Sequence, residues 1–203
     1  MFTDQLPQDF PARQVLLAVS GSIAATAVTP YVAVMRRLLD LEVRAVLTRQ
    51  AVTLVAPRAV AAACGRPVIV DGEQTPDDGT VPHIDLTRWA DVLLVLPATA
   101  NMLAKAAHGI ADDLVSTCIV AASCPVVFVP AMNEVMWGKP AVQRNVATLT
   151  ADGYRVLTPA EGIAMADGQI GPGALPDIFT VLLETADFLR GCAPPAWCEE
   201  VSS

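Results

Sequence analysis

Apolar positions along this chain fall into two alternating rhythms. Short runs at Val15–Val19, Val43–Leu47, Val92–Leu96, Val126–Val129 and Tyr154–Leu157 are rich in Val and Leu and carry little charge. Strands without a polar face are covered on both sides, as in a parallel sheet. Between them lie longer segments with helical spacing: Ile23–Leu39, Thr53–Cys64, Thr99–Ala107, Asp112–Ala122, Ala141–Ala151 and Pro176–Leu189. This alternation predicts an α/β fold, an open, doubly wound parallel sheet in three layers, α/β/α.

Two segments stand outside the rhythm. Asp71–Pro82 is acidic and turn-rich, and reads as a surface loop. Thr158–Pro176 holds four glycines and three prolines and is too long for an ordinary connection, which predicts a substrate-binding flap at about 158–176. The end of the chain, 191–203, has no periodicity and reads as a mobile tail. The expectation is one domain over residues 1–203.

Composition narrows the partners. Of 203 residues 53% are hydrophobic and 17% charged, enough for a large core and unlike a disordered chain. The net charge of −8, with no basic run longer than Arg36-Arg37, argues against nucleic acid. From Gln14 to Met35 there is no charged residue, but Ser20-Gly21-Ser22 and Pro30 interrupt the stretch and Asp4 and Asp9 precede it. It therefore reads as strand, glycine turn and helix rather than as an export signal or membrane span. The five cysteines, Cys64, Cys118, Cys124, Cys192 and Cys198, form no C-x-x-C pair and no Cys/His grouping at zinc-ligand spacing. Reduced thiols in a cytoplasmic protein, with no metal and no membrane, are expected.

Ligands of such sheets collect at the carboxyl ends of the strands. After the first strand, Gly21 allows a tight turn, and Ser22 with the backbone N–H groups before Ile23 makes either an anion site or an ordinary helix cap. The spacing is not G-x-G-x-x-G, so the dinucleotide fingerprint is absent. Thr48 offers a second hydroxyl after the second strand. After the third long strand, Pro97-Ala98-Thr99-Ala100-Asn101 combines small residues, a capping hydroxyl and an amide that both donates and accepts. After the fourth, Pro130–Trp137 crowds Met132, Asn133, Met136 and Trp137 where a structural turn would carry Gly, Asp or Ser. Of two histidines, His83 precedes the strand that delivers Pro97–Asn101 and is a candidate general base. His108, at a helix end before Gly109, needs no function.

Taken together these segments resemble a known family. Pro97–Asn101 is similar to its PASANT motif, and Pro130–Trp137 matches P-x-M-N-x-x-M-W. His83-Ile84-Asp85-Leu86 with Trp89-Ala90-Asp91 resembles its histidine segment, and Gly21–Ala24 and Lys105–Leu114 also fit. The chain resembles the homo-oligomeric flavin-containing cysteine decarboxylases over Gln14–Leu189, with a Rossmann-like or flavodoxin-like flavoprotein fold. Met102 stands where PASANT ends in Thr, and Thr99 replaces its central Ser, keeping a hydroxyl.

The resemblance implies FMN, a homotrimer with the flavin between subunits, and in some members a larger assembly of such trimers, a homododecamer. It makes His83 the active-site base and Asn133 the group that holds the substrate carboxylate. Gly21, Ser22, Ile23, Thr48, Pro97, Ala98, Thr99 and Asn101 become flavin contacts with Met132 near the ring, and Met136, Trp137, Met165 and Gly168 join Asn133 around the substrate. One branch, phosphopantothenoylcysteine decarboxylase of coenzyme A synthesis, returns the electrons with the help of a flap cysteine. The lantibiotic-type branch stops halfway and releases a peptide ending in an enethiol. Here Glu161–Gly173 contains no cysteine; Met165, Ala166 or Asp167 occupies that vicinity. The expectation is therefore oxidative decarboxylation of the C-terminal cysteine of a ribosomally made precursor peptide. The coenzyme A reaction is the runner-up, and a flavin-binding regulatory subunit is disfavoured because His83 and Asn133 are both retained.

Such a reaction has a simple logic. Loss of CO2 from a plain cysteine carboxylate leaves a carbanion with no electron sink. Oxidation of the carbon bearing sulfur to a thioaldehyde creates one, and decarboxylation then yields an enethiolate. A base at His83 would raise the thiolate fraction, which is small at neutral pH for a free thiol of pKa about 8.5.

Overall fold

Six parallel strands form the sheet, in the order β3-β2-β1-β4-β5-β6: β1 (Gln14–Val19), β2 (Glu42–Leu47), β3 (Ile69–Val70), β4 (Val92–Ala98), β5 (Val126–Pro130) and β6 (Arg155–Val156). The computed structural model describes residues 6–7, 9–72, 81–163 and 170–192. The order is that of doubly wound dinucleotide-binding sheets, with the reversal of winding between β1 and β4. All seven residues of β4 are buried. In β1, Val15, Leu17 and Val19 enter the core on one face while Leu16 and Ala18 enter the core on the other, so this central strand is apolar from Val15 to Val19.

Helices α1 (Val28–Leu38), α2 (Pro57–Cys64) and α8 (Ile178–Gly191) cover the first face. Helices α3 (Pro82–Trp89), α4 (Ala100–Ala107), α5 (Leu114–Ala121) and α7 (Pro140–Ala151) cover the second, around Phe128, Leu149 and Leu103. A one-turn helix, α6 (Glu134–Trp137), follows β5 at the carboxyl edge. Three layers result, as the alternation of apolar rhythms predicts.

Several boundaries differ from expectation for local reasons. The helix expected over Ile23–Leu39 is a 3-10 turn, Ile23–Ala27, followed by α1. Starting α1 at Val28 places Pro30 in its first turn, where a missing N–H has no helical acceptor to lose. Likewise Pro57 opens α2, four residues later than expected, after a separate 3-10 turn at Ala51–Thr53. The pattern missed α3, which opens on Pro82 and holds Leu86 and Thr87 buried, and it missed β3, whose two residues are too few to carry a period. Within the flap, β7 (Ala160–Ile163) and β8 (Ile170–Ala174) form an antiparallel hairpin. Gly191, expected to open the tail, closes α8 instead. The rest of the tail (193–203), most of the acidic loop (73–80), and residues 164–169, with Met165 and Gly168, lie outside the described residues. Among the described residues no helix is long and apolar enough to cross a membrane.

Candidate functional site

A crevice of about 460 Å³ opens at the carboxyl ends of β1, β2, β3 and β4, at the switch of winding, and its volume lies within the usual range for small-molecule sites. Ser20 and Gly21 form its floor with Thr99, Ala100 and Asn101, and Thr48–Gln50 forms one wall. Asp71, Lys105 and Asp113 form another, and Met136 reaches in from α6.

The floor is held by one buried hydroxyl. Ser20 Oγ donates to the carbonyl of Pro97 (2.7 Å) and accepts from the N–H of Thr99 (3.0 Å), joining β1 to the turn after β4. Thr99 Oγ1 in turn accepts from Met102 N–H (3.2 Å) and caps α4. The first N–H groups of α4, on Ala100 and Asn101, have no acceptor within the helix and belong to residues lining the crevice. Gly21 is required there by close approach, since a Cβ would collide with the Gln50 side chain. Sequence reasoning did not single out Ser20; its signal was a serine directly after the apolar run Val15–Val19.

Other expected residues have structural duties beside the crevice. Ser22 donates to the carbonyl of Ala131 (3.1 Å), and its own N–H bonds Ser20 O (2.9 Å), so its hydroxyl hydrogen and N–H both have partners within the protein. Thr48 Oγ1 accepts from Ala51 N–H (3.1 Å) and caps the following 3-10 turn. Pro97 and Ala98 are buried in β4, and Ile23 is exposed. Asn133 Oδ1 accepts from Met136 N–H (2.8 Å) as the cap of α6, with Met132 and Trp137 half-buried on either side. His83 stands in the first turn of α3, half-buried, with its carbonyl accepting from Thr87 Oγ1 (2.7 Å). The structure thus gathers Gly21, Thr48, Thr99, Asn101 and Met136 on the crevice, while His83, Asn133, Ser22, Ile23, Pro97, Ala98, Met132 and Trp137 lie outside its lining in a single chain.

Charge on the far wall is internally paired. Lys105 Nζ contacts Asp112 (2.5 Å) and Asp113 (2.6 Å), and Asp113 also caps α5 through Ser116 N–H (2.7 Å). Burial works against the charge of Lys105, yet its hydrogen bonds to Asp112 and Asp113 hold its pKa above the ordinary lysine value. The hydrogen bond from Lys105 keeps the Asp112 carboxyl below the usual carboxylate range. Asp71, 3.4 Å from Arg49, accepts from Leu114 N–H (2.9 Å) and so binds the end of β3 to α5. Cys64 and Cys118 are buried thiols; burial pushes Cys64 up to about 11, against Arg36 and Arg66, and Cys118 up to about 12. His108 closes α4, its Nδ1 2.8 Å from Ala104 O, as its position before Gly109 suggests.

A family model described as Flavoprotein matches residues 4–190. The chain belongs to the flavoprotein family. Within it, the crystal structure of the FMN-dependent cysteine decarboxylase SpaF is 45% identical, covering 85% of this chain and 97% of that one, with a TM-score of 0.74. A PPC decarboxylase mutant complexed with pantothenoylaminoethenethiol is 29% identical over 87% of this chain and 98% of that one, with a TM-score of 0.76. The coenzyme A biosynthesis bifunctional protein CoaBC of Bacillus subtilis is 40% identical over 165 residues, 80% of this chain and 40% of that protein. This flavoprotein spans about two fifths of the length of the curated relatives it matches.

Proposed function

We propose that this flavoprotein is a cytoplasmic, FMN-dependent cysteine decarboxylase that acts on the C-terminal cysteine of a ribosomally made peptide and releases the oxidised enethiol product. The observation that carries the choice of product is the flap. No cysteine occurs between Cys124 and Cys192, so the flap offers no thiol to protonate the product as electrons return to it from the reduced flavin. The similarity to the FMN-dependent cysteine decarboxylase SpaF supports the cofactor and the cysteine substrate. Phosphopantothenoylcysteine decarboxylation is the second reading, favoured by the 40% identity to CoaBC.

The crevice suits FMN. The hydroxyl of Thr48, the first N–H groups of α4 and the Asn101 amide offer polar contacts, and Gly21 and Ala100 leave room for a planar ring. Bound FMN supplies the two-electron acceptor for oxidation of the carbon bearing sulfur. The chain's own groups do the rest. His83 takes the proton of the substrate thiol, and the Asn133 side-chain N–H donates to the carboxylate that leaves as CO2. Since His83 does not line the crevice of its own chain, a second copy completes the site in a homotrimer. Exposed Ile23, Val81, Ile84, Val135 and Met136 around the carboxyl edge support that assembly.

Mass spectrometry of the flavin-loaded protein with cysteine-terminated peptides and with phosphopantothenoylcysteine tests the reading. A peptide loss of about 46 Da, CO2 plus two hydrogens, is expected. A loss of about 44 Da from the pantothenoyl compound alone would establish the second reading instead. His83→Asn should keep the yellow flavin and lose turnover by about 100-fold or more, the usual worth of a general base. A colourless protein would place His83 in the cofactor site.

A further inference from the structure

On its way back to α8, β8 crosses the segment that carries Asn133. Met132 N–H donates to Gly173 O (2.9 Å), so the two backbones lie side by side. Gly173 has φ +137°, and a Cβ there would run into the Met132 carbonyl oxygen and reach within 3.2 Å of the Asn133 carbonyl carbon. Two residues earlier, across the bulge that leaves Gly173 unpaired in the hairpin, a Cβ on Gly171 would fall on the Glu134 carboxylate, 2.9 Å from its Cδ. On its other sides the segment is tied to the body: Ala131 N–H bonds Ala98 O (3.1 Å), and Ser22 holds Ala131 O.

We infer that Gly173, with Gly171, is a positioning residue: the bare backbone of β8 lies against Met132–Glu134 and holds Asn133 in place beside the crevice. The chemistry is steric. A backbone neighbour at Gly173 cannot withdraw as a flexible side chain can, and the left-handed φ excludes other residues independently. The flap is therefore attached to the Asn133 segment through β8, so a change in β8 is felt at the substrate carboxylate. The catalytic consequence rests on the proposed role of Asn133; the attachment itself does not.

Amide hydrogen exchange and kinetics on the flavin-loaded full chain test both parts. Gly173→Ala should raise exchange in 132–137 and 170–174 together, by about tenfold or more, with β1, β4 and β5 still protected. KM for a cysteine-terminated peptide should rise by about tenfold, with a smaller change in kcat. Gly153→Ala is the control, because φ is +90° there but the space is open, giving strain without a neighbour. It should leave exchange in 132–137 and KM at wild-type values. Gly171→Ala should raise exchange in the same segments by less, since the exposed Glu134 carboxylate can swing partly aside, and adding Glu134→Ala should return it to wild-type exchange, which keeps the test available if Gly173→Ala does not fold. Wild-type exchange in 132–137 for folded Gly173→Ala, or no restoration of Gly171→Ala by Glu134→Ala, would overturn the inference. If neither candidate substrate is decarboxylated yet exchange rises in both segments together, the functional reading fails and the attachment stands.

Discussion

The parallel sheet and the flap hairpin are held by different forces. β4 is buried along its whole length, with apolar cores on both faces, and its carboxyl end is pinned to β1 by a buried hydroxyl. β7 and β8 carry glycines where the sheet carries Val and Leu, and β8 meets Met132–Glu134 through backbone. One region inherits the stability of the whole domain; the other depends on a few local contacts. The floor of the crevice thus has fixed geometry, suited to a resident cofactor. The flap side rests on fewer and more local contacts, as the proposed role in admitting and releasing a substrate would require.

Changes on the two sides should separate accordingly. The largest effect is expected from Ser20→Ala, which leaves the Thr99 N–H without its buried acceptor and should cost about 2 kcal/mol in denaturant unfolding. Flavin should be lost more readily from the same variant, because the turn carrying Thr99–Asn101 loses its anchor. Gly173→Ala should instead leave the bulk of the sheet protected while loosening the flap, and equal loss of protection in β1 and β8 would erase the distinction.

A smaller effect is expected at the charged wall. Lys105→Met leaves Asp113 partly buried without its cation and should cost about 1–2 kcal/mol at neutral pH, discounted for solvent screening. The pH dependence follows from the directions of the shifts. Asp112, with its carboxyl depressed, contributes stability above the ordinary carboxylate value and loses it as pH falls through the folded value. Lys105, with its ammonium raised, contributes below the ordinary lysine value and loses it as pH rises through the folded value. The difference in stability between wild type and Lys105→Met should therefore be widest between those limits and shrink at both ends, as urea titrations across pH would show.

Legibility in the sequence followed the length scale of each interaction. The four longer strands, β1, β2, β4 and β5, and the capping role of Thr99 were readable because burial on both faces and helix caps leave local marks. The clustering of the β1, β2 and β4 ends followed from a general rule for such sheets. α3 hid because Pro82-His83 follows an acidic, turn-rich stretch, and β3 because two residues have no period. Ser22 read as an anion site or a cap, and is a cap that also ties β1 to β5 through Ala131. Nothing local marked Lys105 as the partner of Asp112 and Asp113, since that pairing requires the chain to turn back after α4.

By itself the sequence determined the fold class, the family and the set of polar residues delivered to the carboxyl edge, because periodicity and ordered motifs are properties of the chain. Only the tertiary structure decided which of them face the same crevice and which support it. It also laid Gly171 and Gly173 against Met132–Glu134, some forty residues earlier. Close approach of two backbones depends on packing across the fold, and a glycine in a one-dimensional pattern does not say what lies against it.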